Sequence, residues 1–79
     1  MKVRLCWHDI EADVTWERDV DLPLQPFPSL VIGLHDAGTQ DVTVMSVYCT
    51  DTGRVEATIN HCPVSPQSAL EAYEWEHDV

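Results

Sequence analysis

The chain has 79 residues, and its 14 acidic side chains face only four basic ones, which gives a formal net charge of −10. A chain of this length forms one domain, residues 1–79, and leaves little room for a deep catalytic cavity. So large a negative charge disfavours direct binding to nucleic acid or to an anionic membrane, and it favours a basic protein surface as partner.

The first predicted elements are two strands joined by a turn. Residues 2–8 alternate apolar and polar side chains, which is typical of a half-buried strand. Residues 13–22 alternate again, with large apolar residues at even numbers and acids at odd numbers. Arg18 is the one charged residue at an inward position of this second strand. Residues 9–12 are predicted to form the turn between the two strands.

A proline-rich segment follows the second strand. Prolines at 23, 26 and 28 remove three backbone donors, so this segment cannot occupy a central position in a sheet. We expect Leu24 and Phe27 to pack against the core. The nearly continuous apolar character of residues 29–35 predicts a third strand that is buried on both faces.

The next predicted unit is a hairpin. Residues 36–41 contain Gly38 and predict a turn that leads into it. Residues 42–50 and 54–60 predict two strands, and the sequence Asp-Thr-Gly between them predicts a tight turn.

The C-terminal part predicts a helix. Ser65 followed by Pro66 is a typical helix start, because the hydroxyl caps the first turn and proline fits its first position. Residues 66–77 then carry apolar side chains with helical spacing. The predicted fold class is α+β: a small antiparallel sheet or open barrel of about five strands with one C-terminal helix.

Cysteine usage and hydropathy indicate the compartment. No apolar run is long enough to span a bilayer, and residues 1–10 contain no recognisable signal peptide. The cysteines number three, and an odd number argues against a disulfide framework. We therefore expect reduced cysteines and a cytoplasmic location.

Catalytic signatures are missing from the sequence. Cys49, His61 and Cys62 include a thiol and a base, but no nucleophile motif surrounds them. Carboxylates are abundant everywhere, so no single pair indicates acid–base catalysis. We expect no enzyme activity and no catalytic residue.

The sequence offers two candidate metal sites. Cys6 and His8 with residues 61–62 offer four zinc ligands if the two segments meet, but their spacing departs from that of structural zinc sites. Residues 9–13 resemble the opening of a calcium loop, yet the glycine and the bidentate glutamate of such loops are missing. We expect neither a metal nor another cofactor.

The acidic pattern is the strongest functional signal. Residues two apart on a strand lie on one face, about 6.5–7 Å from each other, so the odd-numbered acids predict a row of carboxylates. Such a row is either a solvated strand face without a role or a surface that a basic protein binds. The candidate partner-binding residues are Asp9, Glu11, Asp13, Glu17, Asp19, Asp21, Glu71, Glu74, Glu76 and Asp78.

A small, strongly acidic domain with the runs DIEAD, ERDVD and EAYEWEHD resembles the phage-encoded inhibitors of bacterial defence, anti-CRISPR proteins above all. The resemblance is one of size and charge and involves no shared motif. It implies a non-enzymatic inhibitor that imitates DNA charge in the host cytoplasm. Its partner would be a basic nucleic-acid-binding protein, such as a CRISPR effector whose access to target DNA it blocks.

The alternative interpretation is a small phage structural or assembly protein that self-associates. Trp75, at an exposed position by parity beside Tyr73, is the candidate for its contact surface, although a place in the core suits it equally. The two interpretations predict a monomer or a homodimer.

Overall fold

The computed structural model describes residues 1–34, 41–60, 62–64 and 67–78. Six strands form one open sheet in the order β3-β4-β5-β1-β2-β6, where about five strands were predicted. The strands are β1 (Lys2–Asp9), β2 (Val14–Asp21), β3 (Val31–Gly33), β4 (Asp41–Cys49), β5 (Val55–Ile59) and β6 (Glu76–Asp78).

The β1–β2 hairpin confirms the first two predicted strands, and its turn lies at residues 10–13, one position later than the predicted 9–12. The two strands pair antiparallel over their whole length, from Lys2 opposite Asp21 to Asp9 opposite Val14. The Asp9 carboxylate accepts hydrogen bonds from two backbone N–H groups of the turn, at 3.1 and 3.3 Å. An aspartate in this position stabilises a turn by satisfying donors that the ladder leaves free.

The β4–β5 hairpin confirms the second predicted pair. Its turn closes through a backbone hydrogen bond from Thr50 N to Arg54 O of 2.8 Å, and Gly53 takes a φ of 83°. The register shifts between Val44 and Ser46, which marks a bulge. The bulge leaves Met45 exposed and returns the residues that follow to the correct face of the sheet.

The predicted antiparallel sheet contains one parallel pair. β1 lies between β5 and β2, and it pairs parallel with β5 from Val3 opposite Val55 to Cys6 opposite Thr58. Parity shows which face a residue occupies but not which strand lies beside it, so this pairing was not predictable from alternation. The central position explains why Val3 and Leu5 are completely buried.

The hydrophobic core lies on one face of the sheet. β1 supplies every second residue to it, and residues after β5 close it from the other side. Among the described residues, the buried core consists of Val3, Leu5, Trp7, Ile32, Leu34, Val42, Val44, Ala57, Ile59, Val64, Leu70 and Trp75.

The third predicted strand is shorter and more exposed than its apolar sequence indicates. β3 is an edge strand in which only Ile32 is buried, between exposed Val31 and Gly33. An edge position leaves one side of the strand in solvent, which the apolar run alone did not reveal. Of the turn predicted at 36–41, residues 36–40 lie outside the described residues.

The proline-rich segment also differs from the prediction. Leu24 and Phe27 are about half exposed, and Pro26 is the residue buried against the core. Because proline fixes φ, the segment keeps a rigid extended path that turns Pro26 inward and leaves the larger apolar side chains outside.

The predicted C-terminal helix is reduced to a short 3₁₀ helix, Gln67–Tyr73, and β6 follows it. Glu74 has a φ of 67°, which ends the helix and redirects the chain toward β2. No basic residue in its last turn offsets the helix dipole. Trp75, suspected as a surface contact, is 2% exposed and belongs to the core. The predicted helix start at 65–66 lies outside the described residues.

No helix within the described ranges is long and apolar enough to cross a lipid bilayer.

Replacing Leu70 by alanine tests whether the 3₁₀ helix is part of the core. Leu70 is completely buried, so Leu70→Ala should lower the free energy of unfolding by about 2–5 kcal/mol. Leu24→Ala is the matched control, because Leu24 is 45% exposed and its loss should change stability by less than about 0.5–1 kcal/mol. Urea unfolding measures both, and equal losses would contradict the described packing.

Candidate functional site

The face of the sheet opposite the core is polar, and we call it the polar face. Its central row comes from β1, whose even-numbered residues alternate with the buried ones. The pairing with β2 and β5 sets further polar side chains beside this row. The polar face consists of Lys2, Arg4, Cys6 and His8 with Thr15, Glu17, Asp19, Asp21, Glu56 and Thr58.

Arg4 binds three carboxylates at the centre of this face. Its Nε and Nη2 donate to Glu17 Oε2 at 3.2 and 3.0 Å, and its Nη1 donates to Asp19 Oδ1 at 3.1 Å. Its Nη2 also donates to Glu76 Oε2 at 3.0 Å, which ties β6 to β1 across β2. We call these four residues the Arg4 clamp. With three carboxylates around one guanidinium, the clamp keeps a net charge of two negatives.

The clamp is fixed at its centre and open at its rim. The Arg4 side chain is 13% exposed, whereas Asp19 and Glu76 are 43% and 75% exposed. Burial lowers the pKa of Arg4, but the hydrogen bonds to Glu76, Asp19 and Glu17 outweigh it and hold this pKa above its usual range. The hydrogen bond from Arg4 lowers the pKa of Asp19. Both groups are therefore charged at neutral pH.

A thiol lies beside the clamp between two carboxylates. Cys6 Sγ is 3.6 Å from Glu56 Oε1 and 3.9 Å from Glu17 Oε1. Burial and the charges of Glu17 and Glu56 raise the pKa of Cys6 to about 12, so the group is a protonated donor and a poor nucleophile. A hydrogen bond to Glu56 raises the pKa of Tyr48 for a related reason, because the neutral phenol is the better donor.

Cys6, Glu17 and Glu56 are the described residues that could hold a metal ion, since their ligand atoms lie within 4.8 Å of one another. The sequence-based zinc candidate shares Cys6 with this group, and the calcium candidate shares no residue with it. His8, a candidate zinc ligand, contacts Thr15 Oγ1 at 3.0 Å, and Cys62 donates to a backbone carbonyl at 2.8 Å. Residue 61 lies outside the described residues. Of residues 9–13, Asp9 ends β1 and residues 10–13 form the hairpin turn.

The predicted partner-binding acids fall into separate groups. Asp9, Glu11 and Asp13 surround the β1–β2 turn, where Asp13 is 94% exposed with a φ of 53°. Glu17, Asp19 and Glu76 belong to the clamp, and Asp21 lies 3.2 Å from the N-terminal ammonium group. The single predicted row is therefore divided into an exposed turn and an ion-paired centre.

The C-terminal acids extend the surface around the clamp. Glu71 Oε1 is 2.8 Å from His77 Nε2, and the His77 ring lies 4.6 Å from that of Trp16. Glu74 is exposed at the positive-φ position before β6. Asp78 pairs through its backbone with Thr15 of β2. The sheet thus brings Glu76 beside the acids of β2, a proximity that a C-terminal helix would not have given.

An open cavity of about 500 Å³ lies next to the clamp. Trp75 forms part of its wall, and the indole Nε1 is buried without a hydrogen-bond partner in the part of the chain that the structure describes. A buried unsatisfied donor costs about 1–3 kcal/mol, so this group favours any acceptor that reaches it. The lining residues are Arg4, Arg18, Asp19, Glu71, Glu74, Trp75 and Glu76.

Sequence reasoning missed Arg4 and Glu56 as site residues. The predicted hairpin carried part of the signal for Arg4, because it places Arg4 beside the acids of the second strand. A turn at 9–12 would set Arg4 opposite Glu17, whereas the observed turn at 10–13 sets it opposite Asp19. Glu56 gave no such signal, because it reaches Cys6 only through the parallel pairing of β1 and β5.

No protein-family model matches this chain, and comparison with curated proteins and with solved structures finds no match.

Replacing Arg4 by glutamine tests the clamp. Arg4→Gln leaves Glu17, Asp19 and Glu76 facing one another, so the free energy of unfolding at neutral pH should fall by about 1–3 kcal/mol. The hydrogen bond from Arg4 lowers the pKa of Asp19 in the folded protein. The stability that this ion pair contributes is therefore present above the ordinary aspartate pKa and is lost as the pH falls through the folded pKa. The stability difference between the two proteins should therefore shrink below about pH 4. Urea unfolding across this range measures it.

Arg54→Gln is the matched control for the clamp. Arg54 is exposed, and its substitution removes the same charge from the same face of the sheet. An equal loss of stability in Arg54→Gln would contradict the role of Arg4. So would a stability difference between Arg4→Gln and the parent protein that stays constant as the pH falls below about 4.

The cysteines should differ in their reactivity. Cys49 is exposed, whereas Cys6 is half-buried with its pKa raised to about 12. Iodoacetamide at mildly alkaline pH should therefore modify Cys49 much faster than Cys6, because the thiolate is the reacting form. Mass spectrometry of digested protein measures the two rates, and Cys49→Ser identifies the fast site. Faster modification of Cys6 would contradict its placement between two carboxylates.

Proposed function

We propose that this protein is a non-enzymatic binding module that inhibits a basic nucleic-acid-binding protein by covering the surface that binds nucleic acid. In the form that the anti-CRISPR resemblance implies, it blocks access of target DNA to a CRISPR effector. The observation that carries the proposal is the Arg4 clamp, in which one guanidinium holds three carboxylates in place without neutralising them.

Fixed carboxylates suit a groove built for nucleic acid. Duplex DNA presents closely and regularly spaced negative charges, and proteins neutralise them with arginine and lysine. A carboxylate accepts the same paired hydrogen bonds from an arginine as a phosphate does. The clamp orders Glu17, Asp19 and Glu76 before any partner arrives, so less conformational entropy is lost on binding.

The exposed acids outside the clamp serve a different purpose. Glu11 and Asp13 lie at the hairpin turn, and Glu74 lies before β6, all of them exposed. Charges at the rim of an interface mainly raise the association rate by long-range attraction, which salt screens. We assign steering to these three residues and docking to the clamp.

The competing explanation is that the acids form a solvated surface without a role. Internal pairing with Arg4 relieves repulsion within a chain of charge −10, and it would do so with or without a partner. The two explanations differ in what happens when exposed acids are neutralised, because a solvated surface has no binding to lose.

Neutralising the steering acids tests the proposed function. The variant Glu11→Gln/Asp13→Asn/Glu74→Gln leaves the clamp untouched, and asparagine tolerates the positive φ of residue 13. The assay measures binding of labelled target DNA to purified CRISPR effector–guide complexes of several types, with each protein added at low and at high salt. We expect the parent protein to displace DNA from one of them. The variant should need about tenfold more protein, which corresponds to ~1.4 kcal/mol, with most of the loss in the association rate.

Asp51→Asn is the single-charge control, because Asp51 is exposed in the β4–β5 turn and belongs neither to the clamp nor to the steering acids. It should inhibit like the parent protein. The proposal is contradicted if the parent protein displaces DNA from none of the effectors. It is also contradicted if the triple variant inhibits as strongly as the parent protein.

Self-association is the second candidate function, and exposed apolar side chains favour it. Phe27, Val31 and Met45 are 50%, 58% and 59% exposed, near the β3 edge of the sheet. An apolar edge strand is a surface on which a second chain can pair. Light scattering of the same preparation at high concentration distinguishes the two functions, since assembly requires a mass above that of one chain.

A further inference from the structure

Three side chains of the polar face meet across the middle of the sheet. Cys6 lies on β1, Glu17 on β2 and Glu56 on β5, and these are three adjacent strands. Cys6 Sγ is 3.6 Å from Glu56 Oε1 and 3.9 Å from Glu17 Oε1, and all three atoms lie within 4.8 Å of one another. We call these residues the thiol–carboxylate group. Because its members are far apart in the chain, no local sequence pattern indicates it.

Glu56 is the member of this group whose burial needs an explanation. It is 9% exposed and is the one buried charged side chain among the described residues. No described basic residue forms an ion pair with it. Its hydrogen-bond donors are the Cys6 thiol and the Tyr48 hydroxyl, which carry no positive charge. Buried carboxylates are usually paired with a cation or bound to a metal, so Glu56 indicates a missing positive charge.

The Cys6 thiol cannot satisfy the acceptors around it. It has a single hydrogen, whereas Glu56 Oε1 lies 3.6 Å away and Glu17 Oε1 and the Arg4 carbonyl oxygen both lie 3.9 Å away. One of these oxygens can receive the hydrogen, and the two carboxylates repel each other. A cation at the centre of the group would attract both carboxylates at once.

The distances fit a tetrahedral zinc ion. Zinc–sulfur bonds of about 2.3 Å and zinc–oxygen bonds of about 2.0–2.2 Å place sulfur and oxygen ligands roughly 3.5–3.7 Å apart. Glu56 Oε1 lies at this distance from Cys6 Sγ, and a small rotation of Glu17 brings its Oε1 there too. A thiolate ligand favours zinc over calcium and magnesium, which prefer oxygen. Three protein ligands leave the fourth position of the tetrahedron to water.

Both carboxylates are held in place by donors outside the group. Glu17 accepts the Arg4 hydrogen bonds with Oε2, so Oε1 on the side of Cys6 is not used by the clamp. The Tyr48 hydroxyl donates to Glu56. Carboxylates that bind a metal are typically oriented by such hydrogen bonds from neighbouring residues. The donor atoms are therefore positioned before an ion arrives.

We infer that Cys6, Glu17 and Glu56 form a zinc site that joins three adjacent strands across the polar face. When zinc binds, the thiol loses its proton to solvent, so a sulfur–zinc bond replaces the sulfur–hydrogen bond and no electron is transferred. The site shares only Cys6 with the sequence-based zinc candidate. It is independent of the proposed inhibitor function, because it needs no partner protein.

Cobalt substitution tests the site on the intact protein. Co²⁺ binds where zinc binds, and a thiolate ligand gives it an intense charge-transfer absorption band in the near ultraviolet. We expect reduced protein to develop this band in a saturable way with about one Co²⁺ per chain, and Zn²⁺ to abolish it. Mg²⁺ at the same concentration should leave the band unchanged. A protein that develops no thiolate band would overturn the inference.

Substitutions identify the ligands. Cys6→Ser keeps the size of the side chain and should lose the thiolate band, and Glu56→Gln should weaken Co²⁺ binding at least about tenfold. Cys49→Ser is the matched control, because Cys49 is an exposed cysteine outside the group, and it should bind Co²⁺ like the parent protein. A band that persists in Cys6→Ser, or one that disappears in Cys49→Ser, would assign the metal to another thiol and refute the site.

Proton release provides a measurement that needs no variant. The pKa of Cys6 is raised to about 12 in the metal-free protein, so the thiol is protonated at neutral pH. Zinc added to unbuffered protein near pH 7 should therefore release about one proton per bound ion, which a pH-stat titration counts. Binding without proton release would show that no thiol is a ligand. Neither measurement involves an effector, so failure of the zinc site and failure of the proposed inhibitor are observed separately.

Discussion

Arg4 connects the three strands β1, β2 and β6 through one side chain. Its guanidinium reaches Glu17 and Asp19 on the neighbouring strand and Glu76 on the strand beyond it. Ion pairs at a protein surface usually contribute little, but here the guanidinium is largely buried and uses several donors at once, while Asp19 and Glu76 stay partly exposed. The edge strand β6 is only three residues long, and the contact to Glu76 adds to its backbone pairing with β2.

The ion pairs of Arg4 also reduce the repulsion that the large negative charge causes in this small domain. A net charge of −10 opposes the compact state, and carboxylates on adjacent strands repel each other directly. The clamp offsets the repulsion where the acids are closest and leaves Glu11, Asp13 and Glu74 in solvent, where water screens them. Stability and an outward negative field therefore coexist on one face of the sheet.

Beside the clamp, the fold brings together groups that are far apart in the chain. The parallel pairing of β1 and β5 sets Cys6 next to Glu56, and the turn at Glu74 carries Trp75 into the core with its indole donor unsatisfied. Cys6 has Glu56 as a hydrogen-bond partner, whereas Trp75 Nε1 has none among the described residues.

The sequence by itself determined the two hairpins and the composition of their faces, because side-chain alternation and turn residues act over short distances. It also placed Arg4 on the strand beside the acids of residues 13–22, whereas the exact pair, Arg4 opposite Asp19, depends on a turn one residue later than predicted. The tertiary structure alone decided that β1 enters the centre of the sheet and that Glu56 reaches Cys6. It also decided that residues 76–78 form a strand, with Trp75 buried before it. These features depend on contacts between distant segments, where packing overrides local propensity, so no pattern within one segment specifies them.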